Sequence, residues 1–76
     1  MQKISTVLMG KKIRDEREKR GLTQDELGEL LFMDSSSVCR MEKGKTIGLN
    51  KLELIANALN IDVRVLFDAG VIDCLE

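Results

Sequence analysis

The sequence predicts an all-α fold, and its apolar composition is the main reason. Proline is absent, Phe32 and Phe67 are the only aromatic residues, and the remaining large apolar residues are mostly Leu, Ile, Val and Met. Leucine and methionine favour helices, whereas strands are enriched in aromatic residues. The chain of 76 residues is 43% hydrophobic and 33% charged, which is the balance of a small globular domain. We therefore expect residues 1–76 to form a single domain of packed helices.

The first helix is expected over about residues 6–20. Val7, Met9 and Ile13 recur there at roughly helical spacing and place apolar side chains on one side. Gly21 follows and ends the helix, because glycine readily adopts the left-handed conformation found after many helix C-termini.

The second helix is expected to begin at Gln24 and to end near Leu31. Thr23 and Glu26 have the spacing of a capping box, in which the threonine hydroxyl accepts a hydrogen bond from the Glu26 N–H and the carboxylate reaches back. Gly28 lies within the apolar stripe, and we expect its lack of a side chain to let another helix approach closely.

A short third helix is expected over about residues 35–41. Asp34 is a favourable N-cap for it, and Val38 and Met41 are spaced to face inward. Two helices of this length joined by a tight turn are typical of a motif in which the second helix protrudes into the major groove of DNA.

Two more helices are expected after a loop rich in glycine and lysine. The fourth covers Leu49–Leu59, where Leu52 and Leu59 keep helical spacing. Asp62 is the N-cap of a short fifth helix, and residues 68–76 end the chain as a tail.

Charge is divided unevenly along the chain. The net charge of −1 and the isoelectric point near 5.5 argue mildly against a nucleic-acid partner. However, residues 1–51 contain eleven Lys/Arg and eight Asp/Glu, whereas residues 52–76 contain one Arg and five Asp/Glu. A basic end that faces DNA and an acidic end turned away from it are compatible with this division.

Several classes of protein are not expected. Cys39 and Cys74 lack CxxC spacing and the chain has no histidine, so we expect no metal site. We also expect no enzymatic activity, no cofactor and no small-molecule ligand, because no catalytic or phosphate-binding motif is present. The absence of a long apolar run and of a signal peptide predicts a cytoplasmic protein without a membrane partner.

Several motifs occur in a fixed order, and they are Ile13-Arg14, Arg17, Gly21-Leu22-Thr23-Gln24, Glu26-Leu27, Val38, Met41-Glu42-Lys43-Gly44-Lys45 and Ile55-Ala56-Asn57-Ala58-Leu59. In this order and spacing they resemble the lambda-repressor-like (Cro/repressor, XRE) helix-turn-helix family over about residues 9–67. The resemblance implies a five-helix domain whose second and third helices form the helix-turn-helix. It also implies a two-fold dimer bound to double-stranded operator DNA.

The resemblance implies DNA contacts from Gln24, Ser35, Ser36, Ser37, Arg40, Lys43 and Lys45. The serines and Arg40 match positions that face base edges, and an arginine can donate two hydrogen bonds to guanine O6 and N7. Gln24 begins a helix, where free N–H groups attract a phosphate, and the two lysines match a loop that contacts the DNA backbone.

The resemblance also implies that Arg17 and Glu42 pair inside the domain and join the first helix to the end of the third. The chain departs from the family at Phe32, a turn position where glycine is common. If that residue is left-handed, its side chain costs about 1 kcal/mol. The loop after Gly44 is also shorter than usual and lacks the common proline.

The apolar residues after Leu59 are too many for the core of one small domain, and an exposed remainder usually marks an interface. We therefore expect a homodimer joined through the fifth helix and the tail. The expected interface residues are Val65, Leu66, Val71, Ile72 and Leu75. A dimer also doubles the length of DNA that is read.

Two functions agree with these features. The first is a sequence-specific transcription regulator of a phage-repressor, restriction-modification-controller or stand-alone type. The second is a protein-interaction module on the same fold, such as an antirepressor or a toxin-antitoxin component. The weakly acidic isoelectric point and the acidic N-cap Asp34 favour the second slightly.

Overall fold

The computed structural model describes residues 2–45 and 47–73, and these form five helices and two short strands. In chain order the elements are β1 (Gln2–Ile4), α1 (Thr6–Lys19), α2 (Gln24–Leu31), α3 (Ser35–Glu42), α4 (Leu49–Leu59), α5 (Val63–Gly70) and β2 (Val71–Asp73). The predicted five-helix fold is confirmed, with α1, α2, α3 and α4 within one residue of their expected bounds. In the part of the chain described here, none of the helices is long and apolar enough to cross a bilayer.

Side chains cap the start of four helices. Thr23 and Glu26 form the predicted capping box, with hydrogen bonds of 3.0 and 2.8 Å between side chain and backbone N–H. Asp34 accepts from the backbone N–H of Ser37 at 2.9 Å, and Ser5 and Asp62 cap α1 and α5 in the same manner. These bonds satisfy N–H groups that have no partner within a helix, so each helix begins at a defined residue.

Four helices end at a residue in the left-handed conformation. Gly21, Phe32, Gly44 and Asn60 have φ angles of 70°, 58°, 83° and 58°. In each case the N–H of the following residue bonds to a carbonyl five residues back, at 2.9 to 3.1 Å. Gly21 therefore ends α1 as predicted. Phe32 does adopt the left-handed conformation, in which a side chain has a conformational cost.

The core lies between all five helices. Its fully buried side chains are Ile13, Leu27, Val38, Met41, Ile55, Leu59 and Leu66. The placement of Leu66 in a dimer interface was therefore wrong. Leu66 faces inward from α5 with 0% of its surface exposed, and no surface remains for a partner.

Two close approaches depend on glycine. A Cβ at Gly10 would lie 2.5 and 2.6 Å from the carbonyl oxygens of Glu42 and Met41, so Gly10 lets α1 rest on the end of α3. A Cβ at Gly28 would meet the carbonyl oxygen of Met33 at 2.5 Å. Gly28 therefore makes room for the turn after α2, and not for another helix as its position in the apolar stripe had indicated.

The two strands join the ends of the described chain. They are antiparallel, with Ile4 opposite Val71 and Lys3 opposite Ile72, and the Ser5 N–H donates to the Gly70 carbonyl at 2.6 Å. In place of the tail expected over residues 68–76, α5 continues to Gly70 and residues 71–73 form β2. The pairing is not apparent from the sequence, because strands of three residues leave no periodic pattern. The predicted interface residue Leu75 lies outside the described residues, as does Cys74.

Candidate nucleic-acid interface

The α3 helix has one buried face and one polar exposed face. Val38, Met41 and Glu42 are buried against the core. Ser36 and Arg40 are exposed, and the exposed Lys43 follows at the C-cap. The spacing of four and then three residues places these three side chains on one stripe along the helix. We call this stripe the α3 outer face.

The first turn of α3 is fixed by its N-cap. Hydrogen bonds from the Ser37 hydroxyl and backbone N–H hold the pKa of Asp34 below its usual range. Ser35 and Ser37 are half-buried, whereas Ser36 is exposed. The three serines are therefore not equivalent, since Ser37 is engaged with Asp34 and Ser36 faces solvent.

An ion pair joins α1 to the end of α3, as the family resemblance implied. Arg17 Nε donates to Glu42 Oε2 at 2.5 Å and Arg17 Nη2 donates to Glu42 Oε1 at 3.2 Å. The side chains are only 10% and 4% exposed. Arg17 Nη1 also donates to the Leu22 carbonyl at 2.8 Å, and the hydrogen bonds with Glu42 raise the pKa of Arg17. This cluster fixes the C-terminal end of α3.

Gln24 extends this cluster to α2. Its side-chain Nε2 donates to Glu42 Oε1 at 3.0 Å, which ties the first residue of α2 to the last residue of α3. This bond is not apparent from the sequence, because 18 residues separate the partners and no local pattern links them. The amide nitrogen carries a second hydrogen, and the first N–H groups of α2 have no partner within the helix. Gln24 is thus held rigidly beside unpaired N–H groups.

The two loop lysines are positioned by a tight turn. Lys43 is the C-cap of α3, and the backbone N–H of Lys45 donates to the Arg40 carbonyl at 3.0 Å. Gly44 lies against α1, since a Cβ there would be 2.7 Å from the Val7 backbone. The backbone of both lysines therefore follows directly from the end of α3, and both side chains are exposed.

Two other features of this region bear on the sequence predictions. Cys39 is a half-buried free thiol on α3. Phe32, at the turn before α3, is 98% exposed.

The seven predicted DNA-contact residues differ in exposure. The exposed ones are Ser36, Arg40, Lys43 and Lys45, and the half-buried ones are Gln24, Ser35 and Ser37.

A short, outward-facing helix that is tied to its preceding helix through a tight turn defines a helix-turn-helix domain. The helix-turn-helix family model matches residues 13–66, and the chain belongs to this family, the Cro/repressor (XRE) type of DNA-binding transcription regulators. The family predicted from the sequence motifs is thereby confirmed.

Solved structures agree with this assignment. The chain is similar to the restriction-modification controller protein C.AhdI from Aeromonas hydrophila, with 34% identity and a TM-score of 0.77 over 83% of this chain and 93% of that chain. It also shares its fold with the clp gene regulator ClgR from C. glutamicum, with 22% identity and a TM-score of 0.81 over 90% of each chain. No curated protein sequence gives a significant match.

Proposed function

We propose that this protein is a sequence-specific transcription regulator that reads operator DNA by placing α3 in the major groove. The observation that carries this proposal is the α3 outer face. It presents polar and basic side chains from a helix whose opposite face is locked into the core. Base readout requires donors and acceptors that are held rigidly at groove depth, and this arrangement supplies them.

Arg40 is the principal base-reading residue in this proposal. It is exposed, and within the described chain its side chain forms no ion pair. Its guanidinium is therefore available for two hydrogen bonds to one guanine. Ser36, and Ser35 at the start of the helix, add shorter contacts to base edges. We assign Ser37 a smaller role, since it is half-buried and its backbone N–H is bonded to the N-cap Asp34.

Phosphate contacts are assigned to Gln24, Lys43 and Lys45. Gln24 has a free amide hydrogen beside the unpaired N–H groups of α2, where the helix dipole favours an anion. The lysines lie at and just beyond the end of α3, so they would follow the DNA backbone beside the groove that α3 enters. These residues fix the position of the domain on DNA and do not depend on base sequence.

A homodimer completes the proposal. Val65, Phe67 and Ile72 are each 39% exposed, and Val71 is half-buried. Phe67 also lines an open cleft of about 350 Å³ between α4 and α5. These apolar side chains at one end of the domain support a two-fold contact through α5 and β2. Such a dimer would present two copies of α3 to half-sites about 34 Å apart.

Among regulators of this family, a restriction-modification controller is the type that the comparisons favour. C.AhdI carries that description, and its identity of 34% covers most of both chains. We therefore propose a controller role in preference to a phage-type repressor.

The decisive experiment is DNA binding at two salt concentrations. Operator sequences are first selected from a random duplex pool, and affinities are then measured by mobility shift at 50 and 200 mM salt. With four lysine-phosphate contacts in a dimer, we expect affinity to fall about 100-fold between these concentrations. Arg14→Ala, which removes an exposed arginine on α1 outside both the proposed DNA contacts and the proposed α5 interface, is the matched control and should bind like the wild type. A protein that selects no sequence and binds no DNA would instead be an interaction module.

A further inference from the structure

Phe32 occupies a position that neither the backbone nor the core explains. The other left-handed helix ends carry glycine or asparagine, the residues that adopt this conformation most readily. Phe32 has a φ of 58° and its ring is 98% exposed, so it bears the conformational cost without gaining burial. Residues held in a costly conformation often serve a function, and this one presents a large apolar group to solvent.

A cleft of matching size lies beside the same turn. It has a volume of about 150 Å³ and is lined by Leu31, Met33, Met41, Lys51, Leu54 and Ile55. An apolar cavity of about 150 Å³ accommodates a benzene ring in another protein. Leu31 and Met33 are the neighbours of Phe32 in sequence, yet the Phe32 ring does not fill this cleft and projects into solvent instead.

We propose that Phe32 inserts into this cleft of a second copy of the chain. The ring and the cleft share one turn, so a two-fold axis beside the turn lets both insertions form together and closes the contact. The exposed Leu30 and Leu54 would be covered at the same time. This contact is separate from the proposed α5 interface, and it does not depend on the proposed function.

The charges around the turn favour a copy of this chain and disfavour DNA as the occupant. Glu29 is exposed in the last turn of α2, at the opposite end of this helix from Gln24, and α2 has no Lys or Arg. A carboxylate repels phosphate, so the surface around Phe32 is unsuited to nucleic acid. Glu29 lies one turn before Phe32, and Lys51 lines the cleft. Insertion would therefore bring Glu29 of each copy close to Lys51 of the other.

The contact should be weak in free solution. One aromatic side chain buries about 150–250 Å², and the addition of two half-exposed leucines leaves the area below the roughly 800 Å² per partner of a standard interface. We therefore expect association at high micromolar to millimolar concentration. Two copies held side by side would form the contact much more readily, because their effective concentration is higher.

Sedimentation equilibrium up to about 1 mM protein tests the proposal in the full chain. Phe32→Asn should weaken the high-concentration association more than about ten-fold, since it removes the ring that is buried. Asparagine suits the left-handed conformation, so the variant keeps its fold, which circular dichroism verifies. The wild type and Phe32→Asn are then measured again with Phe67→Lys added to each. Phe67→Lys should remove any association through α5, so the association that remains is the one that depends on Phe32.

A charge exchange distinguishes a specific contact from general stickiness of an exposed ring. Glu29→Lys and Lys51→Glu should each weaken the same association, and the double change Glu29→Lys/Lys51→Glu should restore it. The proposal would be overturned if the average molecular mass of Phe32→Asn rose with protein concentration in the same way as that of the wild type. A double charge variant that associates no better than the single variants would also overturn it. In either case Phe32 does not meet a second copy.

Discussion

At the scale of single residues, the hydrogen bonds of Glu42 are central to the site. Its carboxylate accepts from Arg17 and from Gln24, so one buried side chain connects α1, α2 and α3. The Arg17 guanidinium is itself satisfied by Glu42 and by the Leu22 carbonyl. Buried charges are tolerated only when they are paired and hydrogen-bonded, which is the case here.

Removing Glu42 should therefore be costly. We expect Glu42→Ala to lower the free energy of unfolding by about 3–5 kcal/mol, because Arg17 is left buried without its partner. Arg17→Met/Glu42→Leu should recover part of this loss, but not all of it, since the Leu22 carbonyl and the Gln24 amide also lose a partner. Chemical denaturation of the variants measures the values. The single variants Arg17→Met and Glu42→Leu complete the comparison. If their losses of stability add up to the loss in the double variant, Arg17 and Glu42 do not interact directly.

An exposed pair provides the control for this prediction. Arg14 and Glu18 on α1 form an ion pair with side chains that are more than half exposed. Because water screens such a pair, we expect Arg14→Ala to change stability by less than about 0.5 kcal/mol.

The buried carboxylate of Glu16 on α1 should make the stability of the fold sensitive to acid. Hydrogen bonds from Arg20 and Lys12 lower the pKa of Glu16 to about 2 from an ordinary value of 4.5. A carboxylate with a lowered pKa stabilises the fold above its unfolded pKa and loses this contribution as pH falls towards the folded value. We expect Glu16→Gln to cost about 1 kcal/mol at pH 7, a value reduced because the cations face solvent. The difference from wild type should shrink between pH 4.5 and 2 in denaturation at several pH values.

Removal of the Arg40 side chain and removal of the Lys43 side chain should have different effects on DNA binding. We expect Arg40→Ala to cost about 1–3 kcal/mol of affinity and to relax base preference at one position per half-site, since a paired arginine-guanine contact is lost. Lys43→Ala should weaken binding to all sequences and reduce the salt dependence, because it contacts phosphate. Mobility shifts on single-base operator variants measure both. An equal loss at every sequence for both variants would show that Arg40 does not read bases.

At the scale of elements, close packing of α1 on α3 depends on Gly10. We expect Gly10→Ala to destabilise the domain by about 1–3 kcal/mol, because its Cβ would overlap the carbonyl oxygens of Met41 and Glu42. Since those carbonyls end α3, operator affinity should fall as well. Thermal denaturation and mobility shift measure the two effects.

Gly48→Ala is the matched control for Gly10. Nothing lies within 4 Å of a Cβ at Gly48, and its φ of −117° suits any residue. We expect this variant to lose less stability than Gly10→Ala, because its cost is limited to the weaker preference of alanine for the N-cap of α4. An equal loss in both variants would mean that intrinsic preferences of glycine, and not the α1–α3 contact, set the cost.

At the scale of the whole molecule, the proposed homodimer depends on the apolar side chains that α5 and β2 expose. Leu66→Lys would unfold the domain, since Leu66 is in the core. Phe67→Lys is the appropriate variant, because Phe67 is 39% exposed. We expect it to keep its helices but to be monomeric at micromolar concentration, and to lose operator affinity. Sedimentation of wild type and variant measures this. A wild type that is monomeric both free and on DNA would contradict the dimer.

How far the sequence could predict the site differs between its parts. The capping box of α2 and the helix end at Gly21 were predictable, because they depend on residues three or four positions apart. The exposed stripe of α3 followed from the same local spacing. The Gln24–Glu42 bond, the contact of Gly10 with α3 and the burial of Leu66 were not predictable, because each depends on residues distant in sequence.

The sequence by itself determined where the helices begin and end and which motifs mark the family, because caps, glycines and apolar spacing act within one or two turns of helix. Only the tertiary structure decided which side chains are available. It placed Leu66 in the core, left Phe32 exposed beside an apolar cleft and tied Gln24 to Glu42. It also paired β1 with β2, which stand at opposite ends of the described chain. The physical reason is that burial and hydrogen bonding between elements depend on how helices pack, and packing brings together residues that local sequence patterns do not connect.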